Sequence, residues 1–176
     1  MNPTEISIRP SSPADAPAVV RLKDSTWLAT YPRAVAGITR QDIQAHLDKE
    51  PIDSKIKRWR GYLTGSPTSR TWVAEFGTEI VGFISASKAP DGNQIQALYI
   101  LPAHQRQGIG SQLIKTALDW LGDGEIWLRT VSYNFPAIAA YSKLGFALVE
   151  NSEAKNLILP SGMALPEHKM IRKAKL

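Results

Sequence analysis

The chain reads as an α+β, mixed α/β protein built on a mostly antiparallel, twisted sheet flanked by helices. Three observations predict this. Helical patterns fill the first third of the chain, two β-rich runs follow around Gly77-Thr78, and helix and strand patterns then alternate to the end. That order is not a series of repeated βα units, so a closed barrel of parallel strands is excluded.

The elements follow in order. Ile6 and Ile8 alternate with polar residues and predict a short strand. Ser12-Pro13-Ala14-Asp15 is a helix start, with a capping serine, a proline in the first turn and an acid three residues on. Ala16, Val19, Val20, Leu22, Lys23 and Trp27 continue it at helical spacing. Thr39-Arg40-Gln41-Asp42 repeats the cap signature before Ile43 and Leu47, and Pro51 ends that piece. Ile52, Ile56, Trp59 and Leu63 mark one face of a third helix, and residues 65–69 form a loop.

TWVAEFGTEIVGFISASKA predicts a hairpin about Gly77-Thr78, and Asp91-Gly92-Asn93 another turn. Residues 95–101 form a third strand, closed by Pro102. Leu113, Ile114, Ala117, Leu118 and Leu121 are the apolar stripe of a helix that Gly122 and Gly124 end. EIWLRTV is a strand. NFPAIAAYSKLGF is a compact helix with Asn134 at its cap, Pro136 in its first turn and Gly145 at its end. FALVE and HKMIRKA are the last strands.

One domain, residues 1–176, is expected from 176 residues that are 43% hydrophobic. The chain has no cysteine, which excludes a disulfide framework, a thiolate metal site and a cysteine nucleophile. The N-terminal stretch MNPTEISIRP lacks the apolar segment of a signal peptide, and no run approaches membrane-span length, so a soluble, cytoplasmic protein without a membrane partner is expected. The net charge of +5 favours anionic partners. Its loose clusters at Lys55, Lys57, Arg58, Arg60 and at Lys169, Arg172, Lys173, Lys175 read as solvated faces.

The stretch HQRQGIGSQLI, residues 104–114, carries a strand through a glycine turn into a helix. The first amides of a helix have no intrahelical acceptor, and the helix dipole adds positive potential, so such a turn is an anion site. The P-loop pattern fails because Leu113 stands where its second glycine belongs, and the dinucleotide fingerprint fails at the same residue. Gln105-Arg106-Gln107-Gly108-Ile109-Gly110 instead meets the pattern Gln/Arg-x-x-Gly-x-Gly/Ala. Taken alone, the glycines equally suit a tight turn with no ligand.

About two dozen residues later comes Asn134-x-x-Ala137-x-x-x-Tyr141-x-Lys143-x-Gly145-Phe146. The strand LYIL, the QRQGIG turn and this helix resemble, in order and spacing, the GNAT superfamily of acyl-CoA N-acyltransferases. The resemblance is specific over residues 70–150, an acetyl-CoA-binding core. Residues 1–66 then form the variable helical, acceptor-side region. It implies acetyl-CoA as co-substrate, no metal, and as partner a small-molecule or protein amine. It implies that Leu98, Tyr99 and Ile100 pair main-chain groups with the pantetheine arm. Gln105, Arg106, Gln107, Gly108, Ile109, Gly110 and Ser111 would hold the pyrophosphate, and Asn134 and Tyr141 would touch the coenzyme near its sulfur. Members of the family are often monomers or homodimers.

Tyr141 is the expected catalytic residue. Attack of an amine on a thioester expels a thiolate, and a phenol in reach of the sulfur protonates it. Packing with Ile138 and Leu144 is the other reading of the same residue. A base is not assigned. Holding an aliphatic amine neutral at pH 7 costs about 4 to 5 kcal/mol. In the family's ribosomal-protein alanine N-acetyltransferase branch a glutamate is expected on the strand before the Asn134 helix, and here that position is Arg129. Glu75, Glu79 and Glu125 are substitutes that read first as surface charges. TWLATY, residues 26–31, would join the first two helices and cover the acceptor site. Its Trp27 and Tyr31 would wall an amine pocket through cation–π contact, and the stretch resembles polyamine-acetylating members.

His46, His104 and His168 show no metal-binding spacing, and no G-x-S-x-G elbow is present. The alternatives to an N-acetyltransferase are a non-catalytic acyl-CoA sensor or partner-binding module, and a nucleic-acid binder drawn from charge alone. A nucleic-acid partner is not expected, for want of a recognition motif.

Overall fold

The structure is a computed structural model and describes residues 5–90, 92–150 and 156–174. Asp91 of the expected turn and Lys175 of the second basic cluster lie outside the described residues. Strand β1 (Ile6–Pro10) leads through a short 3-10 turn into α1 (Ala16–Thr30), then α2 (Arg40–Leu47) and α3 (Ile52–Thr64). The hairpin β2 (Ser69–Phe76) and β3 (Glu79–Ser87) is followed by β4 (Asn93–Ile100), α4 (Ile109–Leu121), β5 (Ile126–Val131) and α5 (Phe135–Lys143). The chain ends in β6 (Ala147–Leu148), the small hairpin β7 (Leu157–Ile158) and β8 (Ala164–Leu165), and β9 (Glu167–Arg172).

The start of α2 is built as its sequence requires. Thr39 Oγ1 accepts from the Asp42 amide at 3.1 Å while Asp42 Oδ2 accepts from the Thr39 amide at 2.8 Å, so two orphan donors are satisfied at once. Gly145, at φ 87°, ends α5 in the left-handed conformation that a Cβ would oppose.

The main sheet runs β1-β2-β3-β4-β5-β9-β6 and is antiparallel except at β4–β5. Both faces are covered. Trp72, Ala74, Ile84, Leu128 and Met170 pack with the α4 stripe of Leu113, Ile114 and Ala117. Val73 and Phe83 pack on the opposite face with Val19, Val20, Trp59 and Leu63 of α1 and α3. Burial on both sides explains why β2 and β3 read as nearly continuous apolar runs. A third cluster joins Tyr31, Ile38 and Ile43 to Val131, Leu159 and Leu165, which seats the β7–β8 hairpin on the end of α1.

One irregularity positions the site. Ser85 pairs with Ala97 and Ala86 with Ile95, so Gln96 is an extra residue bulged out of β4. On the other edge, β4 pairs with β5 only at Asn93–Ile126, Gln94–Trp127 and Ile95–Leu128. The two parallel strands part at the bulge.

Three sequence expectations change. TWLATY does not join the first two helices. Its first five residues are the last turns of α1, because Trp27 and Thr26 lie on the helix's packed side, and Tyr31 is only the C-cap. FALVE contributes two residues to the sheet, and the two-residue strands β7 and β8 were too short to show a pattern. No helix among the described residues is long and apolar enough to cross a membrane. The basic cluster on α3 is partly neutralised, since Lys55 meets Asp24 at 2.6 Å and Arg58 meets Glu50 at 2.6 Å.

Candidate active site

Where β4 and β5 part, a cleft of about 250 Å³ opens. Gln96 to Tyr99 form one wall and Leu128 to Val131 the other. Past Ile95, the β4 edge facing β5 has lost its ladder partner, so its main-chain groups are available to an extended, amide-bearing ligand.

Tyr141 enters from α5 and is 7% exposed. Burial, with the neighbouring Tyr99, pushes its phenol above the ordinary tyrosine range, so it stays protonated at neutral pH. The ring rests edge-on against Phe146 at 5.9 Å, in a cluster against which Ile138 and Leu144 also pack. Asn134 stands at the N-cap of α5 and lines the cleft, and its side chain makes no cap hydrogen bond.

The opposite side of the cleft is aromatic. Trp27 Nε1 donates to Tyr99 Oη at 3.0 Å, and Tyr31 lines the cleft beside them. Burial is the main force raising the phenols of Tyr31 and Tyr99, and the charge of Glu167 raises both further. Tyr133 Oη donates to the Tyr31 carbonyl at 2.9 Å and holds the end of α1 in place. Trp27 is stacked on His46 at 5.3 Å, with Lys23 Nζ 4.4 Å from its ring centroid. Trp27 and Tyr31 reach the cleft from the end of a helix rather than from a loop.

The glycine turn lies beyond the end of β4. Gly108, the N-cap of α4, has φ 81°, and Arg106 at φ 59° is the non-glycine residue with positive φ among those described. A Cβ on Gly110 would lie 3.0 Å from Ile100 Cδ1, so that glycine lets α4 approach β4. The first amide to return to a backbone acceptor is that of Gln112, to Gly108 O at 3.1 Å. The side chains behave otherwise than expected. Gln105 Nε2 donates to Ile100 O at 3.0 Å and Gln107 Nε2 to Ala103 O at 3.1 Å. The turn's own carbonyls need donors, and the two amides supply them. Ile100 and residues 105–111 do not line the enclosed cleft with Leu98 and Tyr99.

None of the three glutamates considered as bases lines the cleft. Glu75 is bound to Arg9 at 2.6 Å, and Glu75 and Glu79 line a separate cavity beside α1. Glu125 precedes β5 and is exposed. Arg129 does line the cleft, and its Nη1 is buried without a hydrogen-bond partner. The carboxylate that the sequence missed is Glu167, the first residue of β9, opposite Val131. The late strand reads from His168 onward, and only the β5–β9 register brings the preceding residue to the cleft. Among the described residues no cluster of three or more His, Cys, Asp or Glu side chains could hold a metal ion.

Residues 33–146 match the model of the family described as Acetyltransferase (GNAT) family. A streptothricin acetyltransferase of Streptomyces lavendulae is 35% identical over 85 residues, covering 45% of this chain and 45% of that protein. A probable N-acetyltransferase of Mycobacterium tuberculosis is 29% identical over 155 residues, covering 83% of this chain and 82% of that one. The chain thus spans about half the length of the first relative and most of the second. The crystal structure of the PaiA N-acetyltransferase from Thermoplasma acidophilum in complex with coenzyme A superposes with a TM-score of 0.75 at 19% identity, covering 97% of this chain and 99% of that one.

Proposed function

Because the chain belongs to the acetyltransferase (GNAT) family, we propose that it transfers an acetyl group from acetyl-CoA to a primary amine, by direct attack within a ternary complex. The observation that carries this reading is the parted β4–β5 seam, whose cleft is lined by Leu98 and Tyr99 on the open edge of β4 and by the buried Tyr141.

In this reading the main chain at Leu98, Tyr99 and Ile100 pairs with the pantetheine arm as an added strand would. The amides at the start of α4 and the side chain of Arg106 bind the pyrophosphate; Gln105, Gln107, Gly108, Ile109, Gly110 and Ser111 shape that turn. Asn134 orients the coenzyme near its sulfur. The amine nitrogen attacks the thioester carbon, the C–S bond breaks, and Tyr141 gives its proton to the departing sulfur. Its raised phenol favours that role, since an acid must hold its proton until the thiolate forms. Trp27 and Tyr31 wall the acceptor, so residues 1–66 serve the amine and residues 70–150 the coenzyme. The acceptor is a small molecule or a protein bearing a primary amine. Streptothricin is among the acceptors to test, because one relative is named a streptothricin acetyltransferase.

The test is coenzyme A release from acetyl-CoA, read with a thiol reagent across spermidine, L-lysine, streptothricin and an alanine-led peptide. The chain has no cysteine and so adds no thiol background. Turnover with one class establishes the reaction and its acceptor together. Failure to bind acetyl-CoA at all would sink the reading. Arg129, standing where a base was expected, favours a second reading, an acyl-CoA sensor. Tight acetyl-CoA binding without turnover would select it.

A further inference from the structure

We propose that Glu167 is the proton acceptor for the incoming ammonium, an inference that rests on the acetyl-transfer reading above. Among the described residues it is the one carboxylate lining the cleft. Its place is set by tertiary pairing, since β9 runs antiparallel to β5 with Glu167 opposite Val131.

The surroundings fit a cation. Trp27, Tyr31 and Tyr99 supply aromatic walls beside the carboxylate, and a cation between ring faces and a negative charge is favoured by both. Among the described residues that line the cleft with Glu167, the charged and titratable groups are Tyr31 at the end of α1, Tyr99 on β4, Arg129 on β5 and Tyr141 on α5, and Lys169 follows on its own strand opposite Arg129. Val131, opposite Glu167, packs with Tyr31 and Ile43 on the side of α1 and α2, whereas Tyr141 packs among the residues that meet α4. Acceptor and donor of protons thus stand on opposite sides of the seam.

The chemistry needs such a group. With an amine pKa of about 10.4, roughly one molecule in a thousand or fewer carries a free lone pair at neutral pH. Removal from water between aromatic rings disfavours both the ammonium and the carboxylate, which eases proton transfer between them. The protons then balance. R–NH₃⁺ gives one proton to Glu167 and becomes R–NH₂. The lone pair forms the C–N bond, and the C–S bond breaks as Tyr141 protonates the sulfur. The second nitrogen proton returns to the Tyr141 oxygen, and the Glu167 proton leaves to water. The products are the acetamide and coenzyme A.

The test compares wild type with Glu167→Gln and Glu167→Asp, using the best acceptor among spermidine, L-lysine, streptothricin and an alanine-led peptide. It reads kcat/KM from about pH 6 to about pH 10, and acetyl-CoA affinity by calorimetry. Glu167→Gln is expected to bind acetyl-CoA as wild type does and to lose roughly 100-fold in kcat/KM at neutral pH. The deficit shrinks as pH rises and solution supplies free amine. Glu167→Asp recovers part of the rate and keeps the same pH trend. If Glu167→Gln fails to fold or to bind acetyl-CoA, the aspartate variant decides on the same trend. A wild-type rate and profile in the variants, or a deficit equal at every pH, overturns the role of Glu167 and leaves acetyl transfer standing. A wild type that binds acetyl-CoA and turns over no amine overturns both.

Discussion

Trp27 Nε1 donates to Tyr99 Oη at 3.0 Å, across 72 residues of sequence, and ties the last turns of α1 to the open edge of β4. The bond joins the helix proposed to wall the acceptor to the strand proposed to carry the coenzyme. Trp27→Phe keeps a ring and removes the donor. The lost bond costs about 1 kcal/mol. KM for the amine is expected to rise several-fold while acetyl-CoA affinity stays near wild type, as steady-state kinetics and calorimetry will read.

Tyr141→Phe removes one oxygen from a buried ring whose packing against Phe146 survives. The variant is expected to retain acetyl-CoA binding and to lose roughly 100-fold or more in kcat. Because burial raises this phenol, the wild-type rate is expected to show no loss from Tyr141 ionisation at or below the ordinary tyrosine pKa. Normal turnover by the variant would remove Tyr141 from the chemistry.

The two glycines of the turn are expected to fail differently. At Gly108 nothing lies within 4 Å of a built Cβ, so Gly108→Ala suffers from φ 81° alone, at about 1 to 2 kcal/mol. At Gly110 the Cβ meets Ile100 Cδ1 at 3.0 Å. Ile100→Val deletes that methyl and should therefore relieve Gly110→Ala and leave Gly108→Ala unrelieved. Thermal melts and acetyl-CoA titrations of both double variants separate the two causes.

Asp15 accepts both guanidinium nitrogens of Arg9, at 2.8 and 2.9 Å, and Arg9 also reaches Glu75 at 2.6 Å. The Arg9 hydrogen bonds hold the Asp15 carboxyl below its ordinary range. A carboxyl depressed in the folded state adds stability above its unfolded pKa, and that stability is lost as pH falls through the lower folded value. Asp15→Asn is therefore expected to cost about 1 kcal/mol at neutral pH, a modest figure because Arg9 is 37% exposed and screened by water. Its stability should also fall less steeply than wild type below about pH 4. Denaturant melts at several acid pH values check both.

The order of elements was legible because local signals agreed with the fold. The Thr39 box, the α4 stripe and Gly145 each ended or oriented an element where the residues alone required it. The aromatic side of the cleft was half legible, since Trp27 and Tyr31 were singled out while Tyr99 was read only for its main chain. The side chains of Gln105 and Gln107 donate to the carbonyls of Ile100 and Ala103, which the sequence did not show.

The sequence by itself determined the helices, the hairpin, the glycine turn and the Asn134–Tyr141 helix, since caps, periodicity and turn residues act over a few positions. Only the tertiary structure decided where β4 and β5 part, which depends on a bulge at Gln96 that the pairing of three strands creates. It also decided which carboxylate reaches the cleft. Glu75, Glu79, Glu125 and Glu167 are equivalent as letters, and the β5–β9 register, a contact between distant segments, turned one of them toward Tyr99.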